Sequence, residues 1–345
     1  VGLRLFSITI DGITYGFKQS AADVVYEAGK QMNVSINISK KTLTGEYELE
    51  LDDCQIVDWT EDLNPHAGEA RQYYVVNVET PGTLGKLIKA AKKNPDKIRN
   101  LKVTGQITTE DFYFMRDSMA ILEAVNLKEA KVRDARYTPD SCDENDNYVG
   151  IGNEPKKDDV IPIYAFQSKK SLVYFVFPEK VKYIGQKAFY QSNLSGALIV
   201  PNDVVKISSL AFCGTLIGSV SFNTKIEVIG EWAFDNCSSL SGDLHLPQSL
   251  KSIGQLAFCD CSFSGKLILP DNLESIGSSA FSRSGKFFGD LIIPEKIEKL
   301  FDHTFSYTSF TGSLILNNVK ELGANCFDRN VRSFSGELII PEGVI

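Results

Sequence analysis

The side chains in this chain that could do chemistry are three histidines, seven cysteines and a scatter of carboxylates, and their spacing decides what that chemistry is. A zinc protease needs two histidines one helical turn apart with a glutamate between them. His66, His245 and His303 stand far apart, in a polar linker, a strand and a variable repeat position, and each reads as a surface residue. Nucleophile elbows, phosphate loops and dinucleotide glycine loops are absent from the sequence. Glycosidase chemistry would need two carboxylates facing each other across a cleft, whereas Glu295 and Glu298 flank a turn and read as solvated charge. Asp143, Asn145 and Asn147 are spaced like the first ligands of a calcium loop. The glycine and distal glutamate of that motif do not follow, so a solvated acidic loop is the simpler reading. Cys213, Cys237, Cys259, Cys261 and Cys326 all sit beside one recurring aromatic. With an odd total and no CxxC pair, they read as small buried thiols rather than a disulfide framework or a zinc site. The residues thus call for no metal and no cofactor, and point to a non-enzyme.

What positions these side chains is a repeat. Phe166, Phe189, Phe212, Phe234, Phe258, Phe281, Phe305 and Phe327 are separated by 23, 23, 22, 24, 23, 24 and 22 residues, and most follow an alanine. A constant period of 20–29 residues is the mark of a leucine-rich type of solenoid, in which each unit buries its apolar face only by stacking on its neighbours. Aligned on the phenylalanines, the units read G-x-L-I-x-P-x-x-V-x-x-I-G-x-x-A-F-x-x-C/S/T. The glycines Gly196, Gly218, Gly242, Gly265, Gly289, Gly312 and Gly336 imply a site of positive φ or of close approach to the next coil. Prolines end each strand, with Asn223 and Asn317 in their place in two units. Apolar pairs three apart, such as Val204/Ile207 and Leu250/Ile253, fit a bend or one helical turn before the glycine. Three residues after each anchor comes a small side chain able to hydrogen-bond: Ser192, Thr215, Cys237, Cys261, Ser284, Thr308 and Asn330. Stacked coil on coil, this column predicts a buried ladder that satisfies backbone groups.

The rest of the chain divides by pattern. Residues 1–65 read as all-β, with Asp11-Gly12 between two apolar runs as a hairpin signal and alternation at Val34, Ile36 and Ile38. Residues 66–74 have linker composition. Residues 75–135 alternate strand and helix, with a helix over Thr83–Lys93 capped by Thr83 and carrying Leu84, Leu87, Ile88 and Ala91 on one face. A second helix near Thr109–Ala120 presents Phe112, Met115 and Met119. Such an α/β unit suits the cap that a solenoid requires at its open end. Residues 136–160 form a polar loop and 161–345 the repeats, with a ninth unit beginning at the end; both termini read as cut from a longer chain. The net charge of −8 argues against nucleic acid or an anionic membrane as partner, and no stretch approaches the length of a transmembrane helix.

These residues closely resemble the BspA-like class of leucine-rich repeats, of which Pro247 to Cys261 (PQSLKSIGQLAFCDC) is a near-verbatim instance. The preceding LKVTGQITTEDFYFMRD and LEAVNLKEAKV resemble the unit found before such repeats in surface proteins of gut and oral anaerobes. The chain departs from the family in carrying Ser-Gly before many strands and in its weak first and third units. AGKQMNVSINISKKTLT and CQIVDWTED resemble the closing strands of fimbrillin-like sandwiches, through Ala28-Gly29-Lys30, Ile56 and Trp59, with Met32 standing where an aromatic is usual. The resemblance implies a secreted or outer-membrane-associated surface protein of a Gram-negative anaerobe. Relatives of this kind are regarded as adhesins, so it implies proteins of host matrix or microbial surfaces as partners, with glycans as a second ligand class. A structural, fimbria-associated role, with the repeats as spacer, is the alternative.

In each repeat strand the first and third residues of the apolar triplet, such as Leu198 and Val200 or Leu291 and Ile293, are expected to point inward. The middle residues are then expected on the other face: Val176, Ile199, Ser221, His245, Ile268, Ile292, Ile315 and Ile339. An alternating strand should be polar there, and strand propensity alone also favours isoleucine. Ile268, Ile292, Ile315 and Ile339 fall on consecutive units, rimmed by Lys266, Asp290 and Glu337. With Ile199 and His245 they form the candidate partner-binding stripe.

Overall fold

The computed structural model describes residues 73–137, 156–329 and 334–344 throughout, and before them the backbone of four strands. The chain forms two compact units, Val1–Gly68 and Glu69–Ile345. In the first unit β1 (Arg4–Ile10) pairs antiparallel with β2 (Ile13–Lys18), Ile10 opposite Ile13, as the hairpin signal requires. β3 (Lys30–Lys40) pairs antiparallel with β4 (Tyr47–Asp58), with an irregularity between Ser35 and Ile36. Trp59, His66 and the acidic run around Asp143 lie outside the described residues.

The second unit opens with alternating strands and helices. β5 (Tyr74–Val78), α1 (Leu84–Ala90), β6 (Asn100–Ile107), α2 (Thr109–Ser118), β7 (Ala124–Asn126) and β8 (Ala130–Val132) follow in order. β6 pairs in parallel with β5, β7 and β8. Phe112, Met115 and Met119 are fully buried, as their spacing predicts. In α1 the buried stripe is narrower than the sequence suggests: Leu84 and Ile88 are buried, whereas Leu87 and Ala91 are exposed. Thr83 stands at the N-cap, yet its hydroxyl donates to the Thr80 carbonyl and caps nothing. The cap comes from α2. The Asp111 carboxylate accepts from Gly82 N at 2.7 Å and Leu84 N at 2.9 Å, and closes the capping box of its own helix through Thr108 N at 3.0 Å. Burial pushes the Asp111 carboxyl above its ordinary range despite these donors. At the other end of α2 the buried Lys169 ammonium donates to the carbonyls of Arg116 and Met119, and the Met119 carbonyl accepts from Leu122 N as well.

The solenoid is continuous with this sheet. The first repeat strand, Tyr174–Val176, pairs in parallel with β7, Phe175 opposite Val125. Later repeat strands stack in groups: Ser195–Ile199 with Leu216–Ser221, Ser241–His245 with Ser262–Ile268, and Leu291–Ile292 with Leu314–Ile315 and Leu338–Ile339. The second apolar of each pair three apart belongs to no bend or helical turn. It sits in a two-residue strand, and six of these, from Val160–Ile161 to Ser275–Ile276, form one parallel sheet. The pattern misleads because a two-residue strand is too short to show alternation.

Glycine follows most of these strands because the coils touch there. A Cβ on Gly277 would lie 2.3 Å from Gln255 N and 2.6 Å from Gly254 C, both backbone atoms that cannot swing aside. Where the repeat has Phe301 in that place, the sheet stops at Ser275–Ile276 and resumes with Lys299–Leu300 paired to Glu321–Leu322. Gly277→Ala is therefore expected to lower stability by about 1–3 kcal/mol in denaturant titration, the usual cost of overpacking. An unchanged midpoint would show that the coils part freely. In the strand-side glycine column the two anticipated causes divide. Gly196, Gly242 and Gly289 have φ of 80°, 82° and 84°. Gly265, Gly312 and Gly336 leave no room for a Cβ, and Gly218 requires glycine for neither reason.

The interior is a stack of rings. Phe166, Phe189, Phe212, Phe234, Phe258, Phe281, Phe305 and Phe327 lie face to face in sequence, with centroids 5.2–5.9 Å apart. A second column, Phe263, Phe287, Phe310 and Phe334, stacks alongside at 5.5–6.1 Å and meets the first edge-on. Offset and edge-to-face contacts of this kind are favourable beyond the area they bury. Each unit turns the corner through residues with left-handed backbone, for example Lys187 and Gln191, Leu210 and Gly214, or Leu256 and Asp260. These corners hand hydrogen bonds to the next coil: Lys187 N to Ser209 O, Phe189 N to Ala211 O and Gln191 N to Cys213 O, at 2.8–3.0 Å.

Candidate functional site

The groups with chemical potential are placed first by burial. Ser192, Thr215, Cys237, Cys261, Ser284 and Thr308 are all buried; the Ser192 hydroxyl accepts from Leu194 N at 3.4 Å, and the other hydroxyls and thiols turn to backbone carbonyls. Thr215 Oγ1 donates to Phe212 O at 2.8 Å and Thr308 Oγ1 to Phe305 O at 2.8 Å; Cys237 Sγ donates to Phe212 O and Cys261 Sγ to Phe234 O, each at 3.2 Å. Ser284 Oγ donates to Phe258 O. The column is the ladder its recurrence predicts; Asn330 lies outside the described residues. Burial pushes the Cys237 thiol up to about 11 and holds Cys261 well above the ordinary range, so neither is a nucleophile near neutrality. Both are expected to resist a thiol reagent in the native protein and to react on unfolding. Rapid native labelling, read by mass spectrometry, would refute the ladder.

A second cluster lies one or two residues past the anchors. Ligand atoms of Asp235, Cys259 and Asp260 come within 4.8 Å of one another. Cys213 Sγ donates to Asp235 at 3.6 Å and Cys259 Sγ to Asp260 at 3.4 Å, while Arg283 Nε stands 3.0 Å from Asp260 and already supplies the cation. Burial raises the Cys213 and Cys259 thiols, the latter to about 12, so they serve as donors to carboxylates. His303 occupies one of the left-handed corners at φ 56°, and Glu298 pairs with Lys320 at 2.6 Å.

The exposed apolar row is the remaining feature. The inward pairs Leu198/Val200, Leu267/Leu269, Leu291/Ile293 and Leu314/Leu316 are buried, as alternation predicts. Between them Ile199 is 53% exposed, Ile268 62% and Ile292 49%, whereas in the last repeat strand the alternation fails, Leu338 and Ile340 being exposed along with Ile339. Ile315 is half-buried and His245 is exposed, 3.8 Å from Asp243. Ile292, Ile315 and Ile339 are in-register partners, and so are His245 and Ile268. The row is not one unbroken ladder, however. Strand pairing lapses between Ile268 and Ile292, where Phe288 is exposed and Gly289 turns left-handed. Ile268 and Ile292 still line one groove, with Lys266, Asp290, Glu295 and Lys296 around it.

A solenoid of about 23-residue coils, with a phenylalanine stack inside and a row of aliphatics on one strand face, defines a leucine-rich repeat protein. The chain belongs to the BspA type leucine-rich repeat family, whose model matches residues 159–242 and 241–342 in six copies. Among solved structures, it is similar to a leucine-rich repeat protein from Bacteroides ovatus at 15% identity, over 93% of this chain and 89% of that one, with a TM-score of 0.38. A leucine-rich cell surface protein from Faecalibacterium prausnitzii matches at 13% identity over 79% and 86%, also with a TM-score of 0.38. The leucine-rich repeat protein of T. pallidum matches at 21% identity over 56% and 76%, with a TM-score of 0.29. No curated protein matches this chain.

Proposed function

We propose that this protein is a non-catalytic recognition module of a bacterial cell surface, which binds proteins of a host matrix or of other microbial cells through the isoleucine row. The observation that carries this reading is the row itself: Ile199, Ile268 and Ile292 stand exposed on the solvent face of strands whose inner face is already filled. Exposed apolar groups rimmed by charge mark contact sites, and repeat scaffolds keep such groups in line from coil to coil. The family supports protein binding as the general mode, and no helix among the described residues is long and apolar enough to cross a membrane. The all-β segment with its fimbrillin-like motifs would then serve attachment or assembly.

The test is an array of matrix proteins, glycans and bacterial surface fractions probed with the folded protein. Replacing Ile292 and Ile315 with serine is expected to weaken the strongest interaction at least tenfold, with little change in Tm. A large fall in Tm would make these side chains part of the core, and unchanged binding would leave the row a by-product of strand propensity.

A further inference from the structure

Resting on that reading of the row, we propose that its occupant is a basic amphipathic helix, one that lays an aliphatic or aromatic stripe along the isoleucines with lysine or arginine on either side. Two observations converge on this partner.

The first is charge. Two residues before a row member come Asp243, Asp290 and Glu337, and three residues after one come Asp271, Glu295 and Glu342. All six are exposed, and they lie on both sides of the row. Asp243 and Asp290 are held in place, each spending one oxygen on the amide of the next coil, at Lys266 N and Ser313 N. Lysine ion pairs such as Lys225–Asp203, Lys251–Glu227, Lys299–Glu321 and Lys320–Glu298 lie elsewhere on the solenoid, and on this face His245 stands 3.8 Å from Asp243. Against the six acids this face sets Lys266 and Lys296, and Lys296 is already bonded to Asn272. The rim is therefore net acidic, in a chain of net charge −8. It repels nucleic acid and anionic lipid and attracts cationic side chains.

The second is spacing. Row members on paired strands repeat about every 4.8 Å along the solenoid. Same-face side chains of an extended peptide repeat about every 6.6–6.8 Å, and drift out of step after one coil. A helix presents one side chain per turn, about every 5.4 Å, and its i, i+3, i+7 stripe stays near the row over several coils.

The experiment uses a fluorescent helical peptide with leucines at i, i+3, i+4 and i+7 and lysines elsewhere, its counterpart with glutamate for each lysine, and the full chain. The lysine peptide is expected to bind, to lose about tenfold in affinity between about 50 and 500 mM salt, and to lose at least tenfold on the double change Asp290→Lys and Glu295→Lys. The glutamate peptide is expected not to bind. Equal binding of the two peptides, no binding of the lysine peptide up to about 1 mM, or indifference to the acid reversal would each overturn the proposal. The change Ile292→Ser with Ile315→Ser separates the two readings. If it abolishes binding and the acid reversal does not, the row is a contact face for a partner that is not cationic. If neither change alters binding, the recognition reading fails as well. Circular dichroism on each variant confirms the fold.

Discussion

Phe258→Ala is expected to destabilise the solenoid by about 3–5 kcal/mol, the range for deleting a buried ring that its surroundings cannot collapse to fill. Phe258 stacks on Phe234 at 5.4 Å and on Phe281 at 5.6 Å, and meets Phe263 edge-on at 6.0 Å. Its loss opens a gap bounded by coils that keep their own hydrogen bonds, so relaxation is limited. Because each coil touches only its neighbours, the variant is expected to unfold in two steps, with the segments on either side of the gap separating. Phe258→Leu keeps most of the volume and should recover more than half of the loss. A deficit under about 1 kcal/mol in chemical denaturation would show that the ring stack is not where stability resides.

The second large effect is expected at Asp111. One carboxylate serves the backbone amides of Gly82, Leu84 and Thr108, and so holds the starts of both helices. Asp111→Ala leaves these donors without partners in a buried place, at a cost of about 2–4 kcal/mol. Asp111→Asn retains one acceptor oxygen and should fall between wild type and alanine. Hydrogen exchange would place the effect: the amides of Gly82, Leu84 and Thr108 should lose protection first. Full protection of Leu84 in the alanine variant would mean that another group caps α1.

How legible these features were in the sequence follows from how they are spaced. The first phenylalanine column was plain because most members keep a fixed offset from a glycine and from a small polar residue. The second column was not. Phe263, Phe287, Phe310 and Phe334 follow their anchors by differing intervals, because the loop between them absorbs insertions without moving the ring. In earlier coils Leu172, Leu194, Ile217 and Leu240 are the buried side chains just past the anchors. The left-handed corners were hidden for another reason. Lys187, Leu210, Trp232 and Leu256 share no chemistry, since the hydrogen bonds of the next coil impose the backbone there rather than the residue's own preference. The cap by Asp111 crosses 27–29 residues in sequence, which no local motif reports. The row of isoleucines was legible from alternation alone, whereas the lapse between Ile268 and Ile292 depends on the turn at Gly289.

The likeness of the coils to one another also bears on how the chain finds its register. A coil that skipped its neighbour and stacked on the next would meet the same phenylalanine, the same ladder and the same amides, so each repeat is a decoy for the others during folding. What breaks the tie is unequal. Tyr174–Val176 has a partner in β7 that later coils lack, which starts the count at one end. Phe301 cannot sit where Gly277 or Gly323 sits, which marks a coil near the other end. The defects in the pattern are then its bookmarks, and a chain with every coil made identical would be expected to fold more slowly through mispaired states, even if the final stack were more stable.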